Sequence, residues 1–182
     1  KMIASTLQEA NRLNMLCDNI LLASQLDGKA YQESRIENNL SDLVEGCIDT
    51  FKQHYPLRLV TEQIEPTLYL DGETLLLQML VNNLLENAHK YAPQDTEIKV
   101  ILAAYGKHVK LEVMDSGKGI PDTEKSKIFE KFYRIGSEAT RNTKGTGLGL
   151  YLCQKIAENH NANISVTDNK PQGSIFVVTF NS

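Results

Sequence analysis

The chain has 182 residues, 41% of them hydrophobic and 23% charged, with a formal net charge of −4. Those values belong to a globular domain large enough to bury a core, and they exclude a disordered chain. The acidic balance also argues against a nucleic-acid surface, which needs clustered excess Lys and Arg.

No apolar run is long enough to cross a bilayer, and the chain starts at Lys1, so the expectation is a soluble piece of a longer protein. Cys17, Cys47 and Cys153 are far apart and without metal-ligand spacing, which predicts reduced thiols in a cytosolic setting.

In chain order, residues 1 to about 27 carry Ile3, Leu7, Ala10, Leu13, Cys17 and Ile20 at steps of three and four, which predicts a long amphipathic helix. So narrow a stripe needs a second helix to cover it and suggests a dimerisation stem. YQESRIENN then reads as a strand and turn. A helix over about 40–54 follows, with Leu43, Val44, Cys47, Ile48 and Phe51 inward and Pro56 stopping it. LRLVTEQI and TLYL read as strands, and Asp71 as the N-cap of an apolar helix that ends before Pro93, with Glu73 in its first turn. EIKVILAAY and HVKLEVMD, parted by Gly106, predict a hairpin. Residues 116–147 are polar and glycine-rich; a helix over 148–159 and the strands NISVTD and SIFVVTF complete the chain. This order predicts an α+β fold, a two-layer α/β sandwich with a mixed, mainly antiparallel sheet.

Three stretches carry chemistry. Asn83, Asn87 and Lys90 share one helical face, with Tyr91 beside them. The plain reading is an exposed face with a Glu86–Lys90 ion pair; the functional one is an amide oxygen for Mg²⁺ and a cation for phosphate. Asp115-x-Gly117-x-Gly119 at a strand end is either a turn or a carboxylate placed to accept from an exocyclic amine, with glycines admitting a flat base. Gly145, Gly147 and Gly149 run into a helix start, where open N–H groups and the positive dipole end suit phosphate. The P-loop pattern G-x-x-x-x-G-K-[ST] does not occur.

NLLENAHKY, DSGKGI, IFEKFYR and GTGLGL stand in that order. They resemble the N, G1, F and G2 boxes of the sensor histidine kinases of the GHKL superfamily, which have the Bergerat ATP-binding fold. The resemblance covers roughly residues 35–180. Residues 1–30 resemble the second helix of the family's dimerisation and histidine-phosphotransfer hairpin, which leaves 31–182 as the catalytic ATP-binding domain. By that resemblance Asn87 would ligate Mg²⁺ with Asn83 in support, and Lys90 and Tyr91 would touch phosphate and nucleotide. Asp115 would accept from the adenine amine, with Gly117, Gly119 and Ile120 shaping its pocket. Phe129 and Phe132 would anchor a mobile lid, and Arg134 would reach the terminal phosphate. Gly145, Thr146, Gly147, Leu148, Gly149 and Leu150 would close over the phosphates. The polar RIGSEATRNTK stretch suits a moving segment; Lys131 before it and Arg141 and Lys144 within it carry charges that a solvated loop would carry equally.

Hydrolytic relatives such as the gyrase B subunits carry a Glu four residues before the metal-binding Asn as general base. Here that position is Asn83, whose amide takes no proton near neutrality. The resemblance therefore implies phosphoryl transfer from ATP rather than hydrolysis, with a GHKL ATPase or a non-catalytic nucleotide-binding module as alternatives. The family's acceptor box, a His followed by an acidic and a basic residue, is absent. His89 lies in the N box, and His54, His108 and His160 read as surface or loop residues. The acceptor would then precede Lys1, and the fragment alone would not autophosphorylate. Implied partners are a second copy through the N-terminal helix and a response regulator receiver domain; the implied setting is the cytoplasmic side of a bacterial inner-membrane protein.

Overall fold

A computed structural model describes residues 2–28, 34–136 and 145–181, with only the helical backbone for residues 2–12, 14 and 15. Among these residues the elements run α1 (Met2–Asp27), β1 (Ile36–Asn39), α2 (Leu40–His54), β2 (Val60–Ile64), β3 (Tyr69–Gly72), α3 (Thr74–Tyr91), β4 (Ile98–Tyr105), β5 (His108–Asp115), a 3₁₀ turn (Lys127–Phe129), α4 (Gly149–Asn159), β6 (Ala162–Asp168) and β7 (Ser174–Asn181). The larger sheet has the order β2-β4-β5-β7-β6 and is antiparallel except where β2 lies parallel to β4. β1 and β3 form a separate antiparallel pair.

Alternation decides the layers. Ile98, Val100 and Leu102 of β4, Val109, Leu111 and Val113 of β5, and Phe176, Val178 and Phe180 of β7 are buried, while their neighbours on the other face are partly open. Successive strand residues point to opposite faces, so one face of the sheet meets the helices and the other meets solvent. Leu76, Leu77, Leu80, Val81, Leu84 and Leu85 of α3 join the same core, as do Val44, Ile48 and Phe51 of α2 and Cys153 and Ile156 of α4.

A second cluster attaches α1. Ala23 is buried with Leu148, Tyr151 and Leu152 at the start of α4, and Leu16, Leu22, Leu26 and Met79 pack around them. Asp27, at the end of α1, accepts from the Tyr151 hydroxyl and lies 3.5 Å from Lys131 Nζ and 3.8 Å from Lys155 Nζ. The ring of Tyr151 lies under both ammonium groups. Leu13 and Leu21 stay exposed on α1.

Several expectations change. Asp71 is not an N-cap: it lies in β3 opposite Glu37 of β1, because that pairing keeps the chain extended through Gly72. Glu73 is the residue before α3 and makes no side-chain cap; its N–H donates to His160 Nε2 at 3.0 Å, and its carboxylate accepts from Ser34 N–H. His160 is therefore no surface residue. It is buried, and Nδ1 stands 2.7 Å from the Ile156 carbonyl, so Nδ1 carries the proton and Nε2 accepts. The strand expected from Leu57 starts at Val60, since Pro56 and Leu57 form a turn. Tyr31, Gln32 and Glu33 lie outside the described residues.

Candidate nucleotide site

The polar stripe of α3 spans Asn83 to Tyr91, nine residues or roughly 12 Å of helix. Asn83, Asn87 and Lys90 are half-buried and Tyr91 is exposed. A Cβ built on Gly149 would stand 3.4 Å from Asn83 Oδ1, and one on Gly145 would stand 2.3 Å from Lys90 Nζ. The two ends of the GTGLGL segment thus face two members of one helical stripe. The Lys90 ammonium also lies 4.9 Å over the Tyr91 ring. Glu86 turns the other way, accepting from the Tyr55 hydroxyl of the segment after α2 at 3.0 Å.

At the far end of the stripe stands Asp115. The alternation that buries Val109, Leu111 and Val113 also points this last residue of β5 inward, and it is 4% exposed. Gly117 N–H donates to its Oδ1 at 2.7 Å, and Asn169 Nδ2 donates to its carbonyl at 2.9 Å. Gly117 needs to lack a side chain, because a Cβ there would fall 2.7 Å from Asp115 Oδ1 and 2.8 Å from the Tyr91 carbonyl. The base of α3 and the end of β5 therefore meet across one glycine. Burial raises the Asp115 carboxyl above its ordinary value, while the N–H groups of Gly117 and Ser174 and the charge of Arg58 draw it back. Gly119 and Ile120 are half-buried just beyond, with Ile120 packed on the core.

The segment around Phe132 is pinned by backbone. Phe129 is buried in the core through the 3₁₀ turn, as expected of an anchor. The Phe132 ring is not an anchor: it is 54% exposed, and the residue holds the segment instead through its N–H, which donates to the Gly147 carbonyl at 3.0 Å. Phe132 and Gly147 both have positive φ, 66° and 75°. A Cβ on Gly147 would fall 2.6 Å from the Phe132 carbonyl carbon, so only glycine permits this crossing. Arg134 lies half-buried two residues on, and Tyr133 donates its hydroxyl to Glu124. Arg141 and Lys144 lie outside the described residues.

Thr146 Oγ1 accepts from Leu148 N–H at 3.3 Å, and no side chain caps the N-terminus of α4. Its first residue, Gly149, lies beside Asn83. Leu148 presents only backbone here, because its side chain is buried against α1, and Leu150 packs on the main core.

Hard oxygen donors suit Mg²⁺, which takes few protein ligands and completes its shell with water and phosphate oxygens. The carboxamides of Asn83 and Asn87 fit that demand, and no group of three or more His, Cys, Asp or Glu able to hold a metal occurs among the described residues.

Sequence reading missed the support around Asp115. Arg58, just before β2, is 5% exposed, and its Nη1 donates to the Pro93 carbonyl. Burial lowers its pKa, opposed by the charges of Asp115 and Asp95. His89 stacks on Tyr55 at 4.0 Å, and burial lowers its pKa, helped by Arg58. The available signal was a lone arginine inside the otherwise apolar PLRLV.

A helical layer on a mixed sheet, with a polar stripe facing a glycine-rich helix start and a buried carboxylate at a strand end, defines an ATP-binding domain of the Bergerat fold. The family model described as "Histidine kinase-, DNA gyrase B-, and HSP90-like ATPase" matches residues 72–182, and the chain belongs to that family. Sensor protein CiaH of Streptococcus pneumoniae is 34% identical over 186 residues, covering 97% of this chain and 40% of that protein. The histidine-protein kinase BaeS of Escherichia coli is 29% identical over 177 residues, covering 96% of this chain and 38% of that one. The chain thus spans about two fifths of the length of these relatives. The catalytic domain of histidine kinase ThkA superposes with a TM-score of 0.70 at 27% identity, covering 81% of this chain and 97% of that one. The Acinetobacter baumannii histidine kinase AdeS shares the fold at a TM-score of 0.80 and 19% identity, covering 98% of this chain and 83% of that one. Within the family, the chain is an ATP-binding catalytic region of the sensor histidine kinase kind.

Proposed function

We propose that this chain binds Mg²⁺–ATP along α3 and directs the γ-phosphoryl group to a histidine supplied from outside residues 1–182, for relay to a response regulator receiver domain. The observation that carries the reading is the facing of Asn83 on Gly149 and Lys90 on Gly145 while the same helix ends against Gly117 and Asp115. Asp115 accepts from the adenine amine, and Gly117, Gly119 and Ile120 form the wall that the flat base slides along. Tyr91 lies at the base end and Lys90 at the phosphate end. Gly145, Thr146 and Gly147, with the backbone of Leu148, Gly149 and Leu150, offer N–H groups and the helix dipole to phosphate. Phe132 holds that loop closed, and Arg134 extends toward the terminal phosphate. Asn87, supported by Asn83, would hold Mg²⁺, which supplies charge neutralisation for the departing phosphoryl group.

Transfer is favoured over hydrolysis by two facts. Asn83 cannot take a proton from water, and the Glu86 carboxylate is engaged by Tyr55 on the α2 side. Residues 1–30 are read as the second helix of a dimerisation hairpin and 31–182 as the catalytic domain. The exposed Leu13 and Leu21 on α1 support pairing with a second copy. No helix among the described residues is long and apolar enough to cross a membrane; the proposed parent would reach the inner membrane through other segments, with this part in the cytoplasm.

Calorimetry with a non-hydrolysable ATP analogue and Mg²⁺ tests the binding step, and an acceptor hairpin added in trans tests transfer. Retained affinity in both Asn87→Ala and Asp115→Ala would refute the site, and release of inorganic phosphate without labelling of the hairpin would refute the kinase reading.

A further inference from the structure

We infer that Arg58 is a specificity-determining residue for the base: from behind the pocket it holds Asp115 as an anionic acceptor, so that an amino-purine is taken and an oxo-purine refused. The inference rests on the nucleotide reading above and adds a residue to it.

The sheet brings the two charges to one end. Val60 of β2 pairs with Ile98 of parallel β4, and Ile98 N–H donates to the Leu59 carbonyl, so the ladder begins immediately after Arg58. β5 runs antiparallel to β4 with Lys99 opposite Met114, which sets Asp115 at the level of Ile98. Arg58 and Asp115 therefore stand at the same end of the sheet, two strands apart across it and two residues apart along it, roughly 12 Å in backbone, a gap that a long arginine side chain narrows. Pro93 ties the geometry: its carbonyl takes Arg58 Nη1, and two residues earlier the Tyr91 carbonyl lies against Gly117, whose N–H binds Asp115.

A guanidinium buried to this extent needs compensation. The Pro93 carbonyl satisfies one nitrogen, and Nε and Nη2 have no protein partner. Such a group is costly without a counter-charge nearby, and so is a buried carboxylate. Asp115 and Arg58 are buried and each feels the other's charge; Asp95 from the α3–β4 loop is exposed, and burial, helped by the charge of Arg58, lowers the pKa of His89 of α3.

The chemical consequence is selectivity. An ionised carboxylate only accepts, which suits the amine of adenine and repels the carbonyl oxygen that guanine presents there. A protonated carboxyl can donate to that oxygen, so neutralising Asp115 would admit the wrong base.

The test compares ATP and GTP analogues by calorimetry from about pH 5 to about pH 9, using wild type, Arg58→Met, Arg58→Lys and Asp115→Asn. Wild type is expected to prefer the ATP analogue. In Arg58→Met the preference should fall roughly tenfold, and affinity for the ATP analogue should decline as pH drops through a midpoint higher than in wild type. Arg58→Lys, which keeps the charge, should restore most of both. In the Asp115→Asn background, Arg58→Met should change the preference no further. A folded Arg58→Met protein with the wild-type preference and pH profile overturns the inference while leaving the nucleotide site standing; wild type that binds neither analogue overturns both. Should Arg58→Met fail to fold, the carboxyl ¹³C titration of Asp115 in wild type decides. A carboxyl ionised throughout the neutral range supports the role, and one that titrates near neutrality refutes it.

Discussion

The two ends of the candidate nucleotide site are held in different ways. At the base end, Asp115 closes a strand with neighbours on both sides, its carboxylate bonded to Gly117 and its carbonyl to Asn169. At the proposed phosphate end, a backbone bond joins Phe132 to Gly147 beside an exposed Phe132 ring. On the proposed reading, recognition of the base sits on a part of the molecule that cannot move without breaking the sheet, and the phosphates meet a segment joined through backbone contacts. Helix α1 joins the second end: Asp27 touches Lys131 on one side of residues 137–144 in sequence and Tyr151 and Lys155 on the other.

The widest effects should come from the rigid end. Asp115→Ala removes a charge-assisted acceptor and leaves the base unpaired, so affinity for the ATP analogue should fall about 100-fold while melting shows the fold intact. Equal loss for analogues with altered bases would break the contrast, since it would mean Asp115 supports structure rather than the base.

Gly147→Val comes next. Its Cβ would collide with the Phe132 backbone, so the loop should detach and ATP affinity drop roughly tenfold. Affinity for adenosine, which lacks phosphates, should stay within about twofold. A similar loss for adenosine would mean that the two ends are one rigid unit.

Asp27→Asn tests the stem. Contact with the Tyr151 hydroxyl, Lys131 and Lys155 holds the Asp27 carboxyl below its ordinary value. A depressed carboxylate stabilises the folded form above its unfolded pKa, and that contribution is lost as pH falls through the folded value. With a side chain 38% exposed and screened by water, the latch contributes on the order of a few tenths of a kcal/mol. Amide exchange in the first turns of α4 should therefore quicken in Asp27→Asn at neutral pH and match wild type in acid, while exchange in β5 stays unchanged. Faster exchange in β5 would contradict the separation of the two ends.

The smallest effect is chemical. Cys17 is exposed, whereas burial pushes the Cys47 thiol up to about 11 and Cys153 higher still. A maleimide should label Cys17 quickly and the other two only on unfolding, with no change in nucleotide affinity. Rapid labelling of Cys153 would show that α4 opens far more readily than its packing implies.

Much of this was readable in advance because local patterns agree with their surroundings. The period of α2 gives Leu40–His54, and the alternation of HVKLEVMD sends Asp115 to the core side. Asn83, Asn87 and Lys90 share a face by spacing alone. What could not be read depends on residues distant in sequence. His160 is buried because a main-chain N–H 87 residues away needs an acceptor, and Asp71 is lost as a cap because β1 pairs with β3. The side chain of Leu148 packs with Ala23 of α1, a contact that the glycine-rich pattern around it does not announce.

The amino-acid order by itself determined the elements, the inward carboxylate and the glycines at the helix start, because periodicity and backbone freedom act over a few residues. Only the tertiary structure decided which glycine is sterically required, which phenylalanine is buried, and that Arg58 and Asp115 are buried at one end of the sheet. Those depend on strands and helices meeting across the sheet, where a charge or a Cβ finds neighbours that sequence distance conceals.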